Sequence, residues 1–225
     1  ATFDETNINL KDLLETGTFV NRSLMDWYYT PEFKGGTIDI LFEHANPVRR
    51  ASFLRFDGND LLIGESLQNK IFETFTKRRT LNIEIFTDWT PNDNSFISVD
   101  EKYKDKYGIP VANIRIGTHP QDMKASKFLE EKAIELFKKM GGKNITSDIS
   151  SLPSSNLQAG GCRFGNDTKT SVLNKYCQAH EISNLFITDG SFMPTGGSVP
   201  YTWTIYANSF RVAEYIKNSW REFEV

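Results

Sequence analysis

Residues 81–87 (LNIEIFT) alternate between apolar and polar side chains. A period of two is typical of a strand with one buried face. Weaker strand patterns occur on either side of it, at residues 37–43, 51–56, 95–99 and 109–116. Short turn signals separate several of these segments, which favours antiparallel pairing. We therefore expect an α+β fold with a mainly antiparallel sheet of about six strands, flanked by helices.

Two other segments are candidate helices, and one of them has the 3.6-residue spacing of an amphipathic helix. The weaker candidate, residues 67–79, is rich in Lys and Phe. The clearer one, residues 121–140, follows Pro120 and precedes Gly141-Gly142, which suit a helix start and a C-terminal cap. Its apolar face comprises Phe128, Leu129, Ala133, Leu136, Phe137 and Met140. We expect this helix to cover one face of the sheet, and residues 1–36 to be irregular.

Charge and apolar content exclude some classes of partner. The 225 residues include 26 basic and 29 acidic side chains, so the net charge is −3. A domain that binds nucleic acid through bulk charge would be clearly basic. No apolar run reaches the roughly 18 residues of a membrane span. The three histidines are far apart and form no metal-ligand motif, so we expect no metal site.

The C-terminal third is rich in glycine and changes pattern. A short apolar segment, residues 184–188 (NLFIT), predicts a buried strand that ends at Asp189-Gly190. After a loop and Pro200, residues 201–218 predict a second strong helix, with one face formed by Ile205, Ser209, Val212, Ala213 and Ile216. The free N–H groups at a helix start attract anionic and polar ligands. The pattern is consistent with a polar ligand site, but from spacing alone it is also consistent with a simple turn at Asp189-Gly190.

Four motifs follow one another between residues 160 and 216, and together they resemble the C-terminal signature of the glucose-methanol-choline (GMC) oxidoreductases. They are a Gly-x-x-Arg-x-Gly turn at 160–165, Ser-Val-Leu at 171–173, Asn-Leu-Phe-x-x-Asp-Gly-Ser at 184–191 and a final helix led by Pro200. Residues 80–225 fit the family well, and Phe-Glu-His-Ala-Asn-Pro at 42–47 is similar to its sugar-dehydrogenase branch.

The resemblance implies a function and a set of domains. Such enzymes bind FAD and oxidise an alcohol to a carbonyl by hydride transfer to the flavin. The expected substrate is a sugar or polyol. By the same resemblance, residues 37–154 form the substrate-binding domain and residues 155–225 the C-terminal portion of the FAD-binding domain.

The resemblance also implies site residues. Asp189 and Gly190 would lie along the ribityl and pyrophosphate parts of FAD, and Val199, Pro200, Tyr201 and Thr202 would face the pyrimidine edge of the flavin. A helix N-terminus at that edge stabilises the negative charge of reduced flavin. The candidate substrate residues are Gln158, Ser198 and Trp203.

The catalytic positions depart from the family pattern. The usual general base matches Leu157, or Asn156 after a shift of one residue, and the second catalytic position matches Val199. None of these side chains can accept a proton near neutral pH. The alternatives are catalysis by other groups, and a non-catalytic binding or assembly module.

The sequence also lacks a Gly-x-Gly-x-x-Gly motif, which holds the FAD diphosphate in this family. We therefore expect these 225 residues to be the C-terminal half of such an enzyme and to retain FAD poorly alone. The expected partner is a Rossmann FAD domain or a separate flavin-binding subunit.

Overall fold

A computed structural model of the chain describes residues 1–3, 20–41, 46–77, 80–150 and 157–223. The described part mixes helices with antiparallel strands, which confirms the α+β class. Its strands are β1 (Val20–Leu24), β2 (Gly36–Leu41), β3 (Phe56–Asp57), β4 (Asp60–Leu61), β5 (Asn82–Thr87), β6 (Phe96–Lys104) and β7 (Pro110–Arg115). Its α-helices are α1 (Pro47–Ser52), α2 (Gly64–Thr76), α3 (Pro120–Lys139) and α4 (Thr202–Asn218).

The expected sheet of about six strands is not present among the described residues. The strands form three smaller sheets, in the orders β1-β2-β5, β3-β4 and β6-β7. Strand β6 pairs antiparallel with β7, with Ile97 opposite Ile114. Alternation predicted these strands because it reflects the local side-chain period, but it does not specify which strands pair.

Two local predictions in this region are wrong. Strand β1 lies within residues 1–36, which were expected to be irregular, because it pairs with β2. Residues 51–56 do not form the expected strand; they end α1, form a 3-10 turn and begin β3. Helix α1 begins here because Asn46 caps it, accepting hydrogen bonds from the N–H groups of Val48 and Arg49.

The chain divides into two compact units. The first comprises Ala1–Tyr28, Thr37–Ile85 and Lys127–Asp148, and the second comprises Tyr29–Gly36, Phe86–Ser126 and Ile149–Val225. The functional division into residues 37–154 and 155–225 remains a prediction. No helix in the described ranges is both long enough and apolar enough to cross a membrane.

The first unit has its core between α3 and the β1-β2-β5 sheet. Leu129 and Ala133 of α3 form a buried cluster with Ile38 of β2. The helix ends at Lys139, one residue before its predicted end, and has the predicted glycine cap: Gly141 adopts a left-handed φ of 81° and the N–H of Gly142 donates to the Phe137 carbonyl at 2.8 Å. Helix α3 therefore covers the sheet as the sequence indicates.

The same sheet carries a buried carboxylate. Asp39 in β2 is 6% exposed, and its Oδ1 accepts no hydrogen bond within the described residues. Burial raises the pKa of the nearby Glu84 carboxyl, and the charge of Asp39 raises it further. The folded state therefore favours protonated Glu84, so stability is lost as pH rises through the pKa of folded Glu84.

We expect Glu84→Gln to stabilise the chain at pH 7 by less than about 1 kcal/mol, because Glu84 is exposed and water screens its charge. The gain should vanish near pH 4, below the usual glutamate pKa of about 4.3. Urea denaturation at both pH values measures it. Glu135→Gln is the control. Because Lys139 lowers the pKa of Glu135, this substitution should lower the stability at pH 7 instead of raising it. Equal stabilities of Glu84→Gln and wild type at both pH values would contradict the prediction.

The second unit has its core under α4. Leu173, Cys177, Phe192 and Val212 belong to one buried cluster, against which Ile205 and Ile216 of α4 pack. Helix α4 begins one residue after its predicted start and ends at the predicted Asn218. Its inner face is as predicted except for Ala213, which is exposed because it lies one residue beyond the buried Val212 on the helix surface.

Residues 184–188 do not form the buried strand that the sequence predicts. Leu185 is exposed, and Phe186 forms only an isolated bridge with Gln178. The carbonyl of Leu185 accepts from Ala179, and the N–H of Ile187 donates to Cys177. Residues 177 and 179 therefore provide hydrogen-bond partners for the backbone of residues 185 and 187, so these groups are paired without a regular sheet.

Candidate functional site

The glycine-rich turn and the Asp-Gly segment lie side by side in the second unit. Alternate N–H groups of residues 160–164 donate to carbonyls of the 3-10 turn Gly190–Phe192: Gly160 to Gly190 at 3.4 Å, Cys162 to Ser191 at 2.9 Å and Phe164 to Phe192 at 3.0 Å. This pairing fixes the two motifs relative to each other.

Gly190 lies where no larger residue fits. A Cβ atom there would come 2.9 Å from the carbonyl oxygen of Gln158, 3.3 Å from Cδ1 of Ile205 and 3.4 Å from Cε2 of Tyr201. The glycine therefore brings together three positions that are distant in sequence: the segment before the turn, the Asp-Gly motif and the start of α4.

Asp189 presents an ionised carboxylate to solvent. Its side chain accepts hydrogen bonds from the hydroxyl of Ser191 and from the N–H of Ser191, the latter at 2.8 Å. These bonds lower the pKa of Asp189, the hydroxyl contributing most. The remaining lone pairs can accept hydrogen bonds from ligand hydroxyls.

Among the described residues, the start of α4 has no side-chain cap from its N-cap residue. Tyr201 is its N-cap residue and makes no side-chain capping bond, and Thr202 is exposed. The first N–H groups of such a helix attract negative charge. The Tyr201 hydroxyl is buried and has no hydrogen-bond partner within the described residues, and burial raises the pKa of the phenol, which keeps it a neutral donor.

The structure places the other predicted site residues in different surroundings. Leu157 is half-buried against the core of the second unit, whereas Asn156 lies outside the described residues. The predicted substrate residue Trp203 is 81% exposed, with its ring edge against Tyr206. Gln158, in the segment before the glycine-rich turn, is exposed. The remaining three lie in the loop before α4: Ser198 is buried, Val199 is half-buried and Pro200 is exposed.

Sequence reasoning missed one residue that contacts this loop. The Asp88 carboxylate, just beyond β5, accepts a hydrogen bond from the N–H of Gly197 at 2.9 Å. The two residues are 109 positions apart. No short motif links them, so only the folded structure could identify the contact.

A family model described as GMC oxidoreductase matches residues 91–209, which is more than half of the chain. The chain belongs to the GMC oxidoreductase family. This match includes the glycine-rich turn, the Asp-Gly motif and the first half of α4, so the expected resemblance is confirmed. Membership implies FAD as the cofactor of the full-length proteins.

Several relatives of this GMC oxidoreductase chain are named as dehydrogenases or oxidases. The 2-methyl-1,2-propanediol dehydrogenase of Mycolicibacterium austroafricanum is 32% identical over 138 residues, 60% of this chain and 25% of the relative. The fructose dehydrogenase large subunit of Gluconobacter japonicus is 29% identical over 164 residues, 72% of this chain and 29% of the relative. The 6'''-hydroxyparomomycin C oxidase of Streptomyces lividus is 26% identical over 203 residues, 89% of this chain and 33% of the relative.

The first two names contain a diol and a sugar, which is consistent with the expected resemblance to the sugar-dehydrogenase branch. The chain spans about a quarter to a third of the length of these curated relatives.

Proposed function

We propose that the chain is the C-terminal, substrate- and flavin-contacting portion of an FAD-dependent oxidoreductase that oxidises CH–OH groups of a sugar or polyol. The observation that carries the proposal is the contact of the Asp189-Gly190 turn with Tyr201 at the uncapped start of α4. Both features lie within the family match. The names of the relatives support the substrate class.

The polar groups of this turn and helix start suit FAD, which carries hydroxyls, phosphates and a hydrogen-bonding ring. Asp189 would accept hydrogen bonds from cofactor hydroxyls. The first N–H groups of α4, near Val199 to Thr202, would donate to the cofactor and favour negative charge. The chemistry that FAD would supply when held by these residues is acceptance of a hydride from the substrate carbon. The unpartnered Tyr201 hydroxyl is a further donor of the kind that this ligand requires.

The substrate hydroxyl must also lose a proton. Leu157 and Val199, at the matched catalytic positions, have no titratable atom, and the amide of Asn156 is not a general base. In an active enzyme the proton acceptor therefore comes from another position. The missing base also favours a second function, a non-catalytic binding or assembly module of the same family.

Anaerobic titration of the native protein with sugars and polyols separates the two functions. In an active oxidoreductase, one of these compounds bleaches the visible absorption of bound flavin. Gln158, Ser198 and Trp203 are the proposed substrate contacts, so their alanine variants should raise the substrate concentration needed for bleaching. If dithionite bleaches the flavin but no sugar or polyol does, the protein is a binding module.

The outer face of α4 indicates where a partner binds. Tyr206 and Phe210 on this face are 54% and 79% exposed, although the opposite face packs into the core. A helix that is apolar on both faces is typical of the interior of a larger structure. We propose that this face binds the Rossmann FAD domain or a flavin-binding subunit.

The 225-residue chain alone should not retain FAD. It has no Gly-x-Gly-x-x-Gly motif for the diphosphate, so the turn and helix start supply only part of the contacts. After mixing with FAD and desalting, the absorption spectrum of the chain should show no flavin. Stoichiometric FAD in the protein fraction would show that these residues build a complete site.

A further inference from the structure

A carboxylate in the second unit connects three separate segments of the chain. The Oδ1 atom of Asp88 accepts hydrogen bonds from the N–H groups of Trp89 at 2.8 Å and Gly197 at 2.9 Å. Its Oδ2 atom forms an ion pair with Nζ of Lys34 at 2.9 Å. The side chain of Asp88 is 13% exposed, so water screens these contacts weakly.

Trp89 holds the same loop through its backbone and side chain. Its carbonyl accepts the N–H of Gly196 at 3.3 Å. A Cβ atom on Gly196 would come 2.9 Å from Cβ of Trp89, so the two backbones are in close contact. Residues 88–89 and 196–197 therefore bind each other at two successive positions.

The loop that they hold is strained. Gly197 and Ser198 have φ values of 78° and 59°, and Ser198 is buried. A non-glycine residue in the left-handed region persists only where its surroundings impose the conformation. The contacts to Asp88 supply such a constraint immediately before Val199, Pro200 and the start of α4.

We propose that Asp88 is a positioning residue for the flavin site, which sets the geometry of the loop Gly197–Val199 and thereby the direction of the first N–H groups of α4. Lys34 holds the carboxylate in place from the other side. This inference rests on the proposed function, because it assigns the loop to the cofactor site.

The test uses the native, flavin-loaded protein with substitutions at Asp88 and at a control. Asp88→Ala removes both hydrogen bonds and the ion pair, and Asp88→Asn keeps an acceptor oxygen but loses the charge. The controls are Asp57→Ala and Asp57→Asn, because Asp57 forms an ion pair with Lys70 at 3.0 Å in the first unit but is largely exposed. FAD affinity, the visible circular dichroism of bound flavin and the urea midpoint are measured for each variant.

Asp88→Ala should weaken FAD binding roughly tenfold to a hundredfold, the usual effect of losing charge-assisted hydrogen bonds. Asp88→Asn should weaken it by roughly threefold to tenfold and, at saturating FAD, change the circular dichroism of the flavin. A purely structural role would lower the urea midpoint but leave that spectrum unchanged. Both Asp57 variants should bind FAD as the wild type does.

Two results would overturn the inference. In the first, the wild type is flavin-loaded and the Asp88 variants match the Asp57 variants in affinity and spectrum, which refutes the positioning role and leaves the proposed function intact. In the second, the native protein holds no flavin, which refutes both. If Asp88→Ala does not fold, the comparison of Asp88→Asn with Asp57→Asn decides by the same criteria.

Discussion

Replacing Leu173 with alanine is expected to lower the free energy of unfolding of the second unit by about 2–5 kcal/mol. Leu173 is fully buried in the cluster beneath α4. Its backbone also accepts the N–H of Gly165 at 2.8 Å, which links the core to the glycine-rich turn. Removing the side chain leaves a cavity that this linked backbone cannot readily fill.

Hydrogen exchange of the α4 amides measures this effect, because α4 packs on the same cluster. Val172→Ala is the matched control: it is the adjacent residue, but its side chain is 47% exposed, so the expected change is within about 0.5 kcal/mol. Equal protection of the α4 amides in the two variants would contradict the assigned core.

Gly190→Ala is expected to destabilise the second unit by about 1–3 kcal/mol, the usual cost of overpacking. The added Cβ would lie 2.9 Å from the carbonyl oxygen of Gln158, and a backbone atom cannot move aside as a flexible side chain does. The strain should separate the Asp-Gly segment from residues 160–164. FAD binding by the native protein should weaken with it.

Gly161→Ala provides the control for this substitution. Its added Cβ would come no closer than 3.8 Å to Ser191, an ordinary van der Waals contact. Both variants lose the same backbone freedom in the unfolded chain, so their difference isolates the close contact at Gly190. Urea denaturation and FAD titration should both separate the two variants. A midpoint for Gly190→Ala equal to that for Gly161→Ala would refute this packing.

The two long helices could be predicted from sequence because their signals are local. Residues 121–140 and 201–218 combine 3.6-residue spacing with a proline near the start, and the structure has them as α3 and α4. Strand β5 was predicted for the same reason, from strict alternation. In each case the side chains that define the element lie within a few residues of one another.

The wrong predictions concern which strands pair and segments where two local sequence signals compete. The pattern of β6 and β7 did not show that they pair only with each other among the described strands. At residues 51–56, the Asn46 cap of α1 outweighs a weak alternation. The apolar segment 184–188 has strand composition but only an isolated bridge at Phe186. Periodicity predicts an element but not its neighbour.

The site could be predicted only in part. Motif order indicated Asp189, Gly190 and the start of α4, and the structure brings Gly190 and Tyr201 into contact. The contact between Asp88 and Gly197 arises from folding across 109 positions and leaves no local signal. The acid–base groups also lack a signal, because the positions that match the family hold Leu157 and Val199.

We propose that this chain is part of a flavin-dependent oxidoreductase. The most direct test is the visible absorption spectrum of the native protein purified from its source, followed by identification of any cofactor released on denaturation. We expect flavin absorption bands and release of one FAD per protein molecule. A colourless native protein that releases no flavin would contradict it.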